Sequence, residues 1–314
     1  MSESIAHVFP GQGAQRVGMG RDVYEAHPLA RELFDVAGEI LGFDLKRLCF
    51  EGPKEALDDT VNTQPALYVT CVALWRVVQH EGLLPPPACV AGHSLGEYSA
   101  LTAAGALPFE AGVRLVRERG RLMKEAGQQV PGKMAAIIGL DDTQVMALCR
   151  EAARQGEVVQ VANDNCPGQL VISGTEAAVR RAVTLAREQG ARRAIILDVS
   201  IAAHSPLMAP VKEQFAHVVA AAPITAPTIP IIGNVTARPL TTEAEIRHEL
   251  VEQLTGPVRW TESIQYIVAQ GIGTFVEFGA GAVLTGLIKR IDRRVRRLNV
   301  AGWADVETLR GRKP

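Results

Sequence analysis

The stretch Cys89-Val90-Ala91-Gly92-His93-Ser94-Leu95-Gly96-Glu97 governs the reading of the whole chain. Small apolar residues make a very short strand, a G-x-S-x-G turn follows at once, and an alanine-rich segment continues as helix to Gly105. A serine on such a strand-to-helix turn is held in a strained backbone conformation, and glycines flank it because neighbouring Cβ atoms would clash. The helix N-terminus behind it supplies free N–H groups and a positive dipole end where an oxyanion would develop. An α/β fold with a serine nucleophile is therefore expected, and a plain turn is the alternative.

Outward from this turn the first half alternates short strands with helices, the pattern of a mainly parallel sheet. Residues 5–9 read as a strand running into Pro10-Gly11-Gln12-Gly13, residues 29–48 and 64–81 as helices, and Leu84-Pro85-Pro86-Pro87 as a break. The texture changes between Lys133 and Ser200. KMAAIIGL reads as strand, DDTQVMALCREAARQG as an Asp-capped helix, VVQVAND and QLVISG as strands, TEAAVRRAVTLAREQG as helix and RRAIILDVS as strand. That order, β-α-β-β-α-β, is ferredoxin-like. Residues 133–200 are thus expected to form a small subdomain inserted into a discontinuous larger one, 1–132 and 201–314; the alternative is that these strands extend the main sheet. Beyond it come a helix over 205–220, a strand over 229–233, a helix over 243–254, a strand over 274–278 and a closing helix to Ile291.

Composition narrows the function. The 314 residues carry 33 basic and 34 acidic side chains, so bulk electrostatic attraction to nucleic acid or anionic lipid is not expected. The start MSESIAHVFPGQG has no basic region leading into an apolar one, and no stretch offers roughly 18 uninterrupted apolar residues. Cys49, Cys71, Cys89, Cys149 and Cys166 are odd in number and never form C-x-x-C, which fits neither a disulfide framework nor a zinc site. A cytoplasmic, reduced, metal-free protein without cofactor or membrane partner is expected.

A serine hydroxyl needs a base, usually histidine. His7, His27, His80, His217 and His248 sit in strand interiors or solvated helices, and His93, though adjacent to Ser94, points another way across the turn. His204 differs, because it lies in a loop after a strand and just before a helix, where α/β folds place site residues. Asp198, Glu97 or a backbone carbonyl remain open as its orienting partner.

Several segments together resemble the malonyl-CoA:acyl-carrier-protein transacylase family: FPGQGAQ at Phe9 to Gln15, GHSLGE at Gly92 to Glu97, Arg119-Gly120 in RERGRLM, AAHSPLM around His204, and Gln253 in VEQLTGPVRW. The resemblance runs from Ile5 to Ile291 and implies an α/β-hydrolase-like larger domain with a ferredoxin-like insert. It also implies roles. Ser94 resembles the acyl-accepting nucleophile and His204 its base, oriented by the carbonyl of Gln253. The N–H groups of Gln12 and Leu95 would form the oxyanion hole, Gln64 would line the pocket, and Arg119 would hold the free carboxylate of a malonyl group.

Malonyl would thereby pass from malonyl-CoA to the phosphopantetheine thiol of acyl carrier protein, in fatty acid or polyketide synthesis. Where malonyl-selective members often have Phe before the histidine, Ala203 stands here, so a methylmalonyl-selective enzyme is the alternative; a thioesterase or carboxylesterase is a further one. Lys289, Arg290, Arg293, Arg294, Arg296 and Arg297 form a basic end that suits an acidic carrier or is simply a solvated face.

Overall fold

The computed structural model describes residues 4–199 and 201–311. Eleven strands among them form two sheets. In chain order they are β1 (Ile5–Phe9), β2 (Cys89–Gly92), β3 (Gly132–Ile138), β4 (Val159–Cys166), β5 (Gln169–Thr175), β6 (Arg193–Ile196), β7 (Ile231–Ile232), β8 (Pro239–Leu240), β9 (Val258–Arg259), β10 (Thr274–Phe278) and β11 (Arg296–Val300). The main sheet runs β11-β10-β1-β2-β7-β8 and is parallel except for β8.

Its central strands are almost wholly apolar because both faces are covered, and a parallel strand buried on both sides has no need of polar alternation. Ile5, Phe9, Val90 and Phe278 face a core built with the helices Thr60–His80 and Phe109–Gln129. Ala6, Val8, Ala91 and Phe275 face the helices Trp260–Ala269 and Val283–Ile291. His7 belongs to this interior: its Nδ1 accepts from Trp75 Nε1 at 3.2 Å, and burial pushes its pKa down to about 3.

The second sheet runs β6-β3-β5-β4-β9. Neighbours among β3 to β6 are antiparallel, the helices Asp142–Ala152 and Glu176–Glu188 cover one face, and the two layers share a hydrophobic cluster of their own. The expected Asp cap is in place, with Asp141 and Gln144 forming a reciprocal capping box. From outside the segment, β9 joins in parallel, Val258 beside Asn163.

Several boundaries differ from expectation for local reasons. The helix expected over 29–48 is two, Pro28–Leu41 and Leu45–Glu51, because Gly42 adopts φ 72° and Asp44 caps a new start through Arg47 N–H at 3.0 Å. The helix expected from Gln64 begins at Thr60, where Asp59 accepts from Val61 N–H, and it tolerates Pro65 near its start. The strand expected over 192–200 stops at Ile196, and its end Ser200 lies outside the described residues. Beyond Ile291 the chain continues as β11 and the helix Trp303–Arg310, so Arg296 and Arg297 sit on an edge strand, where charge discourages pairing with another chain.

In the main sheet Phe9 pairs with Gly92, so β1 and β2 end side by side and their turns emerge together. A Cβ on Gly96 would overlap the Phe9 carbonyl, and one on Gly11 would overlap the His93 carbonyl. The two turns therefore interlock only without side chains there. Gly96→Ala is expected to cost at least about 2 kcal/mol in urea denaturation. Gly286→Ala, in a helix with open space around the new methyl, is expected to be neutral or to stabilise by up to about 1 kcal/mol.

Candidate active site

Ser94 sits at the end of β2, with φ 51°, and the helix Gly96–Ala103 starts directly behind it. A left-handed serine persists only where its surroundings hold it. Here the grip is explicit: Asn234 Oδ1 accepts from Ser94 N–H at 2.6 Å, while Asn234 Nδ2 donates to Gly92 O at 2.7 Å. Gln253 Nε2 donates to Ser94 O at 3.1 Å.

His204 also has positive φ, 57°, and is almost fully buried. Its Nε2 lies 2.8 Å from Ser94 Oγ. Its Nδ1 lies 2.8 Å from Gln253 O and 3.2 Å from Gly256 O. Carbonyl oxygens only accept, so Nδ1 carries the proton and Nε2 is left to accept from the serine hydroxyl. Burial first, and then the positive charge of Arg119, push the His204 pKa down to about 3. The imidazole is therefore neutral at physiological pH, with Nε2 unprotonated. Neither carboxylate left open by the sequence holds the ring: Asp198 is exposed, and Glu97 instead accepts from Asn234 N–H at 3.1 Å and from Gln253 Nε2.

Arg119 comes from the helix Phe109–Gln129, whose Arg114 and Arg121 are exposed while Arg119 is buried. Its Nη1 donates to Gln64 Oε1 at 2.9 Å; its Nη2 donates to Gln253 Oε1 at 2.8 Å and to Ser94 Oγ at 3.2 Å. These acceptors are all neutral, and Nε has no partner among the described residues. The nearby carboxyl is Glu97, which burial, followed by Glu249, pushes well above the usual carboxylate range. Burial also lowers the Arg119 pKa, but a guanidinium stays charged. A buried cation held by neutral oxygens retains a strong attraction for an anion.

From Arg119 a line of hydrogen bonds leads back to the first turn. Gln64 Nε2 donates to Thr60 Oγ1 at 3.1 Å, and Thr60 Oγ1 donates to Gln12 Oε1 at 2.9 Å. The backbone N–H groups of Gln12 and Leu95 make none of the turn bonds made by those of Gly96, Glu97 and Tyr98. They belong to the interlocked turns beside Ser94. Ser94, His204, Arg119, Gln64 and Gln253 are thus in direct hydrogen-bond contact, with Gln12 and Leu95 on the adjoining backbone. Among the described residues no cluster of His, Cys, Asp or Glu is placed to hold a metal ion.

Residues 6–307 match the acyl transferase domain. The chain is 47% identical over 305 residues, 97% of its length and 95% of the relative's, to the malonyl CoA-acyl carrier protein transacylase of Bacillus subtilis (strain 168). The chain belongs to the malonyl CoA-acyl carrier protein transacylase family. It is 48% identical over 287 residues to the Escherichia coli (strain K12) member, covering 91% of this chain and 92% of that one. A Vibrio cholerae acyl carrier protein S-malonyltransferase superposes with a TM-score of 0.94 at 45% identity, over 98% of this chain and 100% of that one. A malonyl-transacylase solved in complex with its type II PKS acyl-carrier protein superposes with a TM-score of 0.95 at 43% identity, over 99% of this chain and 100% of that one.

Two features of this transacylase family member escaped the sequence reading. Asn234 follows Gly233 at the end of a main-sheet strand, a position that itself signals a site residue in an α/β fold. The Gln253 side chain gave no signal, since a glutamine near a helix end is ordinary. His93, which points away from Ser94, has its Nε2 2.8 Å from Asn165 Oδ1 on β4, and burial lowers its pKa. Asn234→Ala leaves Ser94 N–H and Gly92 O unpaired; thermal and urea denaturation are expected to show a loss of about 1–3 kcal/mol.

Proposed function

We propose that this protein transfers a malonyl group from malonyl-CoA to the phosphopantetheine thiol of acyl carrier protein through an ester on Ser94. The observation that carries the reading is Arg119: a buried guanidinium with only neutral partners, one nitrogen 3.2 Å from the serine oxygen. Malonyl brings a carboxylate to such a cation, in the paired geometry that a planar fork favours. Acetyl brings none.

In the first half-reaction His204 Nε2 takes the Ser94 proton as Oγ attacks the thioester carbon. The resulting oxyanion is held by the N–H groups of Leu95 and Gln12; one such donor is typically worth about 10²–10³ in rate. The C–S bond then breaks, and CoA leaves as a thiol with the proton from His204. In the second half-reaction the carrier thiol gives its proton to His204, its sulfur attacks the ester, and Ser94 recovers the proton. A positioned thiol outcompetes mobile water because Arg119 fixes the acyl group against the buried side chains of Gln64, His204 and Gln253. These roles require no cofactor of the enzyme's own.

The architecture we propose is an α/β-hydrolase-like domain, 1–132 and 201–314, around a ferredoxin-like subdomain, 133–200. The β6-β3-β5-β4 order and the separate cluster under its helices support this division. The solved complex with a carrier protein supports the acceptor. The basic end is a weaker guide to docking, since Arg290 bonds to Gln169 and Pro167 O, Arg294 pairs with Asp292, and Arg297 bonds to Val295 O. Five buried free thiols suit a reducing compartment, and the cytoplasm is our reading. No helix among the described residues is long and apolar enough to cross a membrane. Ala203, small and buried beside His204, makes methylmalonyl-CoA the second substrate to compare.

Labelled malonyl-CoA is expected to leave one acyl group on the wild-type chain and none on Ser94→Ala; label surviving on Ser94→Ala refutes the assignment. Arg119→Ala is expected to lower kcat/KM for malonyl-CoA by about 10² or more while sparing acetyl transfer.

The pH dependence follows from His204. Only its neutral form accepts a proton, and its pKa lies at about 3 rather than 6.5, so the base is fully available above roughly pH 5. The acylation rate is expected to stay flat from about pH 5 to 8; an inflection near 6.5 in stopped-flow acylation contradicts this.

A further inference from the structure

The turn after the helix Glu243–Glu252 presents four successive carbonyls, those of the C-cap Gln253 and of Leu254, Thr255 and Gly256, which lie outside the helix and need partners from elsewhere. His204 takes three of them. Its Nδ1–H is shared by Gln253 O and Gly256 O, and its backbone N–H donates to Leu254 O at 3.1 Å. The fourth, Thr255 O, accepts at 3.0 Å from Nε2 of Gln160. The same nitrogen also donates to the carbonyl of His204 itself, at 2.8 Å. Gln160 is on β4, opposite Ser173 of β5, and therefore reaches the site from the second sheet.

We infer that Gln160 is a positioning residue for His204. A primary amide has two N–H donors on one nitrogen, the number this place needs. One pins the His204 carbonyl, and so the left-handed backbone that aims the ring at Ser94. The other occupies the acceptor lying between the two that hold Nδ1–H. Without it, Thr255 O is an unpaired acceptor in the same turn as the two that hold Nδ1–H and competes for that donor, turning the ring away from Ser94. Gln160 touches neither substrate nor reacting atoms; it acts through the base. The residue also ties the second sheet to catalysis, making that sheet a support for the base.

This inference rests on the reading of Ser94 and His204 as nucleophile and base, and the test separates the two. Gln160→Met keeps the length and loses both donors. Single-turnover acylation of Ser94 by labelled malonyl-CoA is expected to slow about 10- to 100-fold, with KM for malonyl-CoA changed by less than about threefold. Gln160→Glu opposes a carboxylate to two carbonyls at pH 8 and regains one donor when protonated. Its acylation rate is expected to rise as pH falls from 8 to 5.5, over which the wild-type rate is flat. The Nδ1–H proton resonance of His204 is expected to shift in both variants.

Wild-type acylation rates in Gln160→Met, or a loss wholly in KM, overturn the inference while leaving the proposed function intact. Absence of any acyl-enzyme in the wild type overturns both. Should Gln160→Met lose the fold, the pH response of Gln160→Glu decides, and a rate that does not recover on acidification counts against the role.

Discussion

The carbonyl of Phe9 occupies the space that a side chain at residue 96 would need, and the carbonyl of His93 does the same at residue 11. This mutual backbone approach determines the site's geometry. Because β1 and β2 end in register, their turns meet, and because both turns are lined by glycine they can meet at backbone distance. The result is a serine in a left-handed conformation with two amide groups beside it. Any looser packing would move the backbone at Gln12 and Leu95 relative to Ser94, and in the proposed mechanism the donors there act only when aimed in advance.

Around that contact the polar groups form one continuous system. Asn234 grips the turn, Glu97 grips Asn234 and Gln253, and Gln253 grips both Arg119 and the Ser94 carbonyl. Each buried charge in it is costly alone. Arg119 is tolerable because its neutral partners satisfy its terminal nitrogens, and Glu97 because burial and Glu249 favour its protonated form. The site therefore carries a buried cation, hydrogen-bonded to neutral oxygens, directly beside Ser94.

What could be read in advance reflects which signals are local. The G-x-S-x-G turn, the strand Ile5–Phe9 and the Asp cap at Asp141 are written in adjacent residues, and all three are where the sequence puts them. Two helix ends were misplaced where a stop or cap went unrecognised: Gly42 broke one expected helix and Asp59 began another early. Arg119 is one of several arginines on its helix and looked like a solvated one until the resemblance to a known family singled it out. Asn234 and Gln160 act through partners far away in the chain, at separations of 140 and 44 residues, which periodicity does not encode. The third partner of the histidine could not be read from side-chain types because it is a backbone carbonyl, a group every residue possesses.

The pairing of β9 with β4 bears on how such proteins can be recombined. Residues 133–200 look portable in the linear sequence, a contiguous cassette that could be exchanged between relatives. In three dimensions the cassette's outer strand is completed by Val258 and Arg259, more than fifty positions downstream, and its Gln160 is bonded to the turn that precedes them. A graft confined to the contiguous piece would expose the ladder of β4 and lose the register of that turn. The natural unit of exchange is therefore discontinuous.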